Sequence, residues 1–292
     1  MLIKVRASSV NSWDWDRLTG IPRLYRLLHG LFKPRLKILG ADIAGIVENT
    51  GKGVTGFHPG NEVFGDLCAD HWGGFAEYVC AQEKSLIFKP AGISFEEAAS
   101  LPQAGVMALQ GIFEYGQVQA GQQVLINGTG RGVCSFAIQL AKLRGAVVTA
   151  VDHTDKLEFM RSLGADHVVD YTSENFTHSG RQYDFILDVT AKHSITSYKR
   201  VLTSRGRYSM VGGSVSSILQ AAFLGWMISE KNGRKLGILV HQPNKDLGML
   251  AELVVAGKLK PIINHIYPLS KVPEAMKLIG EGKAIGKVII TI

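Results

Sequence analysis

The first 95 residues show short alternating runs of apolar and polar positions, separated by glycine and proline. These runs cover residues 2–7, 44–48, 62–65, 75–79 and 85–88. Short strands at such spacing, bounded by turn residues, are typical of an antiparallel, barrel-like domain. We therefore expect the chain to begin with a β-rich domain.

From residue 96 onwards, apolar strands alternate with helices. The predicted strands are 124–127, 146–151, 167–170, 184–188 and 207–211. The predicted helices are 96–99, 106–115, 135–144, 156–163, 194–201 and 215–235, and the tail adds a helix at 247–256, a helix after Pro273 and a strand at 287–292. Apolar strands joined by helices form a parallel sheet covered on both faces. The predicted fold class is therefore α/β, with a doubly wound, nucleotide-binding sheet beside the barrel-like domain.

The composition narrows the class of protein. The chain has 292 residues, of which 46% are hydrophobic and 20% charged, which excludes a disordered, collagen-like or coiled-coil protein. Its three cysteines have no CxxC spacing, which argues against a disulfide framework and a structural zinc site. The longest apolar run, residues 218–228, is too short to span a bilayer. We expect a soluble, cytoplasmic protein without a membrane partner.

The net charge of +7 is modest for this length. Its densest patch, residues 23–37, interleaves Arg and Lys with Leu and Phe. This mixture fits a solvated face or the vestibule of an anionic cofactor better than a nucleic-acid surface. No nucleic-acid partner is expected, and a nucleic-acid-binding role is kept as an alternative.

A glycine-rich turn joins the first parallel strand to its helix. Glycines there allow a tight turn and a close approach of the backbone to a pyrophosphate at the helix N-terminus. We predict that the turn binds the cofactor through Gly128, Thr129, Gly130, Arg131, Gly132 and Val133. The alternative is an ordinary glycine-rich loop, but its place between a strand and a helix favours the nucleotide site.

Beyond the glycine turn, Asp152 and Lys156 give opposite indications of cofactor preference. Asp152 follows the second parallel strand, where an acidic side chain accepts hydrogen bonds from the ribose hydroxyls of NAD. Lys156 follows four residues later and would pair with the 2′-phosphate of NADP.

Together these segments resemble the medium-chain dehydrogenase/reductase superfamily, in its zinc-free quinone oxidoreductase (zeta-crystallin-like) branch. The resemblance runs along nearly the whole chain. Its motifs lie at residues 5–11, 39–45, 57–65, 73–78, 97–102 and 163–166, with Asn61 in place of the usual Asp.

The resemblance implies a GroES-like catalytic domain over residues 1–95 and 244–292, and a Rossmann domain over 96–243. It implies hydride transfer from NADPH to a quinone or an α,β-unsaturated carbonyl, in a dimer or larger homo-oligomer. We therefore expect NADP(H) rather than NAD(H). By the same resemblance Lys156 and Tyr171 bind the 2′-phosphate, and Gly212 and Gly213 pass close to the nicotinamide ribose.

The resemblance also bears on the catalytic centre. The zinc-dependent relatives hold their catalytic metal with a Cys, a His and a Cys, and the matching positions here are Asn11, Ala41 and Gln103. Amide and methyl side chains cannot replace thiolate and imidazole ligands, so no zinc is expected. We predict that Asn11 is the catalytic donor to the substrate carbonyl, the alternative being a capping residue at a strand end. Tyr25 is a candidate proton donor, with packing as its alternative.

Several departures from the family pattern keep other functions open. Arg131, Cys134 and Met107 replace residues that are usual in the branch, and the chain begins inside the second or third strand of the family pattern. The pattern therefore predicts an unpaired sheet edge that is either exposed or covered by another subunit. Truncation, a start-site error and a shorter protein all explain this beginning. The alternatives are a cofactor-binding protein without turnover and an alcohol dehydrogenase-like enzyme.

Overall fold

The computed structural model describes residues 1–21, 36–128 and 130–292. The chain divides into two compact units. Unit 1 comprises Met1–Val106 and Gln242–Ile292, and unit 2 comprises Met107–His241. Strands and helices are numbered below in chain order over the described residues.

A mixed sheet forms the centre of unit 1. Its strands are β1 (Leu2–Val10), β2 (Asp42–Asn49), β3 (Glu62–Asp66), β4 (Tyr78–Cys80), β5 (Ile87–Phe88), β12 (Ile263–Pro268) and β13 (Lys287–Thr291). Over the described residues the order is β12-β13-β1-β2-β3-β5, with β4 also paired to β1. β1 is antiparallel to its neighbours, whereas β12 and β13 are parallel. Ile3, Val5 and Ala7 alternate along β1 and are buried, as the period of a strand requires.

Four helices complete the described part of unit 1: α1 (Ser12–Thr19), α2 (Phe95–Ser100), α8 (Leu247–Val255) and α9 (Val272–Gly280). The N-terminus of α2 is closed by a capping box, in which Ser94 Oγ accepts the Glu97 N–H at 3.1 Å and Glu97 Oε2 accepts the Ser94 N–H at 2.8 Å. Its buried residues Ala98 and Ala99 face β1 and β2. Because α2 packs on this sheet, unit 1 extends beyond residue 95.

Helix α3 (Pro102–Leu109) contains the boundary between the units and continues into a π-helical turn, Gln110–Tyr115. The sequence predicted one helix over 106–115. The i→i+5 turn is a local widening of that helix, which hydrophobic periodicity does not distinguish from α-helix.

Unit 2 contains a sheet in which all described strands are parallel. Its strands are β6 (Gln123–Asn127), β7 (Val147–Asp152), β8 (His167–Asp170), β9 (Tyr183–Asp188), β10 (Leu202–Met210) and β11 (Lys235–Ile238), and its helices are α4 (Gly132–Leu143), α5 (Leu157–Ser162), α6 (Ile195–Arg200) and α7 (Val215–Asn232). The order β11-β10-β9-β6-β7-β8 reverses direction between β6 and β9. This confirms the doubly wound sheet, in which ligands bind beside the carboxyl ends of the strands at the reversal.

Short 3₁₀ turns lie at Glu83–Ser85, Thr154–Lys156, Phe176–His178 and Leu269–Lys271. The sequence missed two strands, β11 and β12. Among the described strands, both lie at an edge of their sheet, and there the apolar pattern is diluted. The helix predicted over 215–235 ends at Asn232, where Gly233 adopts the left-handed conformation (φ 70°). Among the described residues, no helix is both long and apolar enough to cross a membrane.

Candidate cofactor and catalytic sites

The glycine turn of unit 2 runs from the end of β6 to the start of α4, and Thr129 lies outside the described residues. Gly130 has φ 56°, and a Cβ there would lie 3.2 Å from Asp152 Oδ2 and 3.1 Å from Lys156 Cδ. A Cβ on Gly128 would overlap Cys134 Sγ. The turn therefore leaves its backbone bare on the side that faces Asp152, as close approach of a pyrophosphate requires.

The other residues of the turn lead into the helix. Arg131 is the extended N-cap residue of α4, Gly132 is buried in the first turn and Val133 is half-buried. The first backbone N–H groups of α4 have no partner within the helix, so this end favours a negatively charged group.

Asp152 ends β7 and carries an unsatisfied oxygen. The residue is 1% exposed, and its Oδ1 accepts the His153 N–H at 2.7 Å. Its Oδ2 has no hydrogen-bond partner among the described residues. Burial raises the pKa of the Asp152 carboxyl to about 6, although the positive charges of Lys156 and Arg131 act in the opposite direction. A buried acceptor with a vacant lone pair fits a hydroxyl donor such as a ribose.

Positive charge lies beside this carboxylate. Lys156 is 8% exposed, and burial lowers the pKa of its ammonium group. Tyr171 follows β8, is exposed and donates its backbone N–H to the Asp152 carbonyl oxygen at 3.1 Å. Lys192 Nζ lies 4.9 Å from the centre of the Tyr171 ring. Lys156 and the unsatisfied Asp152 carboxylate together fit the phosphate and ribose groups of a dinucleotide.

Gly212 and Gly213 follow β10 and are half-buried. A Cβ on Gly213 would lie 2.8 Å from Ala191 Cβ, so the loops after β9 and β10 touch at this glycine. A cavity of about 550 Å³ adjoins both loops, lined by Thr190, Ala191, Lys192, His193, Ser194, Ser214, Ser216, Ser217 and Gln220. The carboxyl ends of β9 and β10 thus leave room for a polar ligand.

Asn11 lies in unit 1, at the junction of β1 and α1. The residue is 7% exposed, its Nδ2 donates to Asp42 Oδ2 at 2.8 Å, and its Oδ1 accepts from Lys287 Nζ at 2.7 Å. Ser9 Oγ donates to the same Asp42 oxygen at 2.8 Å. A carboxylate accepts hydrogen bonds and an ammonium group donates them, so these two partners identify the nitrogen and the oxygen of the Asn11 amide.

Asp42 is the central acceptor of this buried cluster. Its Oδ1 accepts the Gln103 backbone N–H at 3.1 Å, and Lys287 Nζ lies 3.7 Å from its Oδ2. Burial raises the pKa of Asp42 to about 6 against the opposing charge of Lys287, and burial lowers the pKa of Lys287. Asp14, also fully buried, accepts the backbone N–H groups of Asn11 and Gly40 at 2.7 and 2.9 Å. Burial raises the pKa of Asp14 to about 7.

Comparison with known proteins gives two matching families and relatives that match along nearly the whole of this chain. Residues 1–91 match the alcohol dehydrogenase GroES-like domain, and residues 163–290 match the zinc-binding dehydrogenase family. A chloroplastic quinone oxidoreductase of Triphysaria versicolor is 31% identical over 99% of this chain and 89% of that protein. The chain belongs to the medium-chain dehydrogenase/reductase superfamily, in its quinone oxidoreductase-like branch.

Further relatives agree with this assignment. The structure of the quinone oxidoreductase from Coxiella burnetii superposes with a TM-score of 0.87 at 30% identity, covering 100% of this chain and 90% of that one. An NADPH-dependent alkenal/one oxidoreductase of Arabidopsis thaliana is 31% identical over 99% of this chain and 71% of that protein. The expected pairing of a GroES-like domain with a parallel dinucleotide-binding sheet is thereby confirmed.

The three residues that the resemblance places at the zinc-ligand positions all belong to unit 1. Asn11 and Gln103 both hydrogen-bond Asp42, and Ala41 precedes Asp42 in the chain. They offer two carboxamides and a methyl group, which do not fit a tetrahedral zinc. The side chains of Asn11 and Gln103 are instead neutral hydrogen-bonding groups. The candidate proton donor Tyr25 lies outside the described residues, as does the basic patch of residues 23–37 except for its last two residues.

The structure also reveals a buried polar cluster that the sequence reasoning missed. Asp188, at the end of β9, accepts Asn127 Nδ2 and the Ala191 N–H, both at 2.8 Å, and the Tyr208 hydroxyl at 2.9 Å. Burial raises the pKa of the Asp188 carboxyl and, together with that carboxylate, the pKa of the Tyr208 hydroxyl. The sequence does contain a signal for this cluster, because the neighbouring apolar strands β6 and β9 each end in a polar residue, Asn127 and Asp188. The cluster fixes the loop that begins at residue 189, beside the glycine turn.

Proposed function

We propose that this chain is an NAD(P)H-dependent oxidoreductase that transfers a hydride to a quinone or an α,β-unsaturated carbonyl compound. The observation that carries the cofactor assignment is the unsatisfied Asp152 Oδ2, 3.2 Å from the space that a side chain on Gly130 would fill. The acceptor class rests on relatives named quinone oxidoreductase and alkenal/one oxidoreductase. The substrate is a small molecule.

We assign NADP(H) as the preferred cofactor. The positive charge of Lys156 acts on Asp152. Lys192 lies over the exposed ring of Tyr171, and the Tyr171 backbone N–H donates to the Asp152 carbonyl oxygen. A 2′-phosphate is attracted by these cations and repelled by the Asp152 carboxylate. The relative from Arabidopsis thaliana named NADPH-dependent supports the first effect as the stronger one. The proposal includes a homo-oligomer and a cytoplasmic location, although the Triphysaria versicolor relative is chloroplastic.

When bound, the nicotinamide ring supplies the hydride. The glycine turn of residues 128–132 and the start of α4 hold the diphosphate, and Asp152 accepts from the adenosine ribose. Asn11 donates its second Nδ2–H to the acceptor carbonyl, since Asp42 takes only the first. A fixed donor stabilises negative charge on oxygen because no reorganisation is needed when that charge develops. The residues at the zinc positions favour this metal-free chemistry over that of the zinc-dependent alcohol dehydrogenases.

The first experiment is a fluorescence titration of the purified chain with NADPH and with NADH. It is followed by an acceptor screen with a ring-substituted para-quinone, an α,β-unsaturated ketone and a primary alcohol with oxidised cofactor. Tighter NADPH binding and acceptor-dependent NADPH oxidation are expected. Binding without turnover of any substrate would instead identify a cofactor-binding protein, and turnover of the alcohol alone would identify a dehydrogenase. A folded chain that binds neither nucleotide would refute the proposal.

A further inference from the structure

An unsatisfied carboxamide lies inside unit 1. Gln103 is 4% exposed at the start of α3, and its Nε2 has no hydrogen-bond partner among the described residues. A buried amide donor that loses its water partners and gains no others destabilises the folded chain. Such a group in a native structure calls for an explanation, and a ligand that supplies the missing acceptor is one.

The backbone of Gln103 makes a hydrogen bond, whereas its side-chain Nε2 makes none among the described residues. Its N–H donates to Asp42 Oδ1 at 3.1 Å, while Asn11 Nδ2 donates to Asp42 Oδ2 at 2.8 Å. Two carboxamide residues are thus attached to the two oxygens of one fully buried carboxylate. This common attachment holds the Asn11 side chain and the Gln103 backbone on one carboxylate of unit 1.

The side-chain amides of Asn11 and Gln103 differ in the hydrogen-bond donors that remain available. Lys287 and Asp42 occupy both ends of the Asn11 amide, so only its second N–H remains. The Gln103 Nε2 makes no hydrogen bond within the described chain, and turning this amide group towards a ligand therefore breaks no bond at that atom. Hydrogen bonds to substrate commonly form only when the complex does, so the absence of a partner in the free protein is compatible with such a role.

We propose that the Gln103 side chain donates a hydrogen bond to the carbonyl oxygen of the acceptor and, with Asn11, stabilises the charge that develops there. The inference rests on the proposed function. Gln103 keeps its proton throughout: the hydride adds to the acceptor carbon, the electron pair moves to the carbonyl oxygen, and water supplies the proton. Gln103 is then a catalytic residue that acts beside Asn11.

The test is the variant Gln103→Met, which keeps the length of the side chain and removes the amide. A catalytic donor predicts effects of opposite sign: Tm rises by a few degrees because an unsatisfied group is gone, and kcat/KM for the quinone falls about 10²-fold. The Kd for NADPH stays unchanged. A purely structural amide predicts a lower Tm with unchanged kcat/KM, and either of these two results overturns the proposal.

A matched control is Gln110→Met, which removes an equally buried glutamine that interacts with neighbouring groups. Its Tm is expected to fall and its kcat/KM to stay the same. Gln103→Glu provides a second signature, since a protonated carboxyl is again a donor. Its kcat/KM relative to the wild type should rise as the pH falls, and a ratio that does not change with pH contradicts the donor role.

Failure of the proposed function is separately visible. If the wild-type chain binds NADPH but reduces no acceptor, that function fails, and the Gln103 contact is then judged by binding of the para-quinone, measured as quenching of tryptophan fluorescence. Weaker quinone binding by Gln103→Met supports the contact. Equal affinity in both proteins overturns it.

Discussion

Replacing Lys156 by methionine tests the cofactor assignment most directly. The lysine stem packs against the glycine turn, as its Cδ lies 3.1 Å from the position of a Cβ on Gly130. Methionine keeps an unbranched apolar stem there and removes only the charge. We expect weaker binding of NADPH and unchanged binding of NADH, because only NADPH carries the 2′-phosphate.

The size of the effect follows from the burial of Lys156. Two unit charges about 4 Å apart attract by roughly 4 kcal/mol at an effective dielectric constant of 20. The measurable part is smaller, because the nearby Asp152 repels the phosphate. However, Lys156 is only 8% exposed, so most of its dehydration is already complete before the cofactor binds. A charge-assisted hydrogen bond of about 1.5–3 kcal/mol is therefore the appropriate scale. The Kd for NADPH should rise about 10- to 100-fold.

The assay is the nucleotide titration at pH 8, well above the Asp152 pKa of about 6, so that the carboxylate stays charged in both proteins. The control is Lys235→Met, which removes an equal charge from an exposed residue at the amino end of β11, the opposite edge of the sheet. Equal weakening of NADPH and NADH, or the same loss in the Lys235 control, would refute a specific phosphate contact.

Three further substitutions test the buried carboxylates. Asp152→Asn should shift the ratio of the Kd values for NADPH and NADH towards NADPH by about 10-fold, because removing one repulsive charge is worth on the order of 1.4 kcal/mol. The same titration measures this ratio, and an unchanged ratio contradicts the prediction. Lys287→Met should lower the free energy of unfolding in urea by about 3–5 kcal/mol, since Asp42 is left buried without its cation, whereas Lys89→Met, whose partner is a half-exposed glutamate, should cost clearly less. Burial raises the pKa of Asp14 from 3.8 to about 7. Between these two values the folded chain keeps a proton that the unfolded chain releases, so the free energy of unfolding should fall as the pH rises from about 4 to about 7. That slope should be smaller in Asp14→Asn, and identical slopes in urea titrations of both proteins would show that Asp14 does not cause it.

The strands buried on both faces are the plainest in the sequence. Val124, Leu125 and Ile126 form a continuous apolar run before a glycine turn, and all three are fully buried in β6. By contrast, β12 alternates between half-buried and exposed positions and contains a proline. Local pattern therefore misses strands whose apolar positions are diluted, such as β11 and β12, although it finds the edge strand β8.

The same distinction applies to the candidate sites. Gly130 and Asp152 could be paired in advance, because the carboxyl ends of consecutive parallel strands meet at one edge of a sheet. Nothing in the sequence pattern pairs Asn11 with Lys287, since 276 positions separate them and no motif connects them. Nor does the pattern show that Gln103 has a vacant donor, because this depends on every group packed around it.

The bond between Asn11 and Lys287 also has a kinetic consequence. It closes a loop of 276 positions, and unit 2, which accounts for about half of that loop, is inserted within unit 1. If the inserted unit folds first, the flexible part of the loop is roughly halved, which lowers the entropic cost of closure by about 0.6 kcal/mol. This gain is small, so pairing of the first and last strands remains a slow, non-local step. During refolding, the nucleotide site should therefore mature before the cluster around Asp42, through an intermediate that binds cofactor before it can turn over substrate.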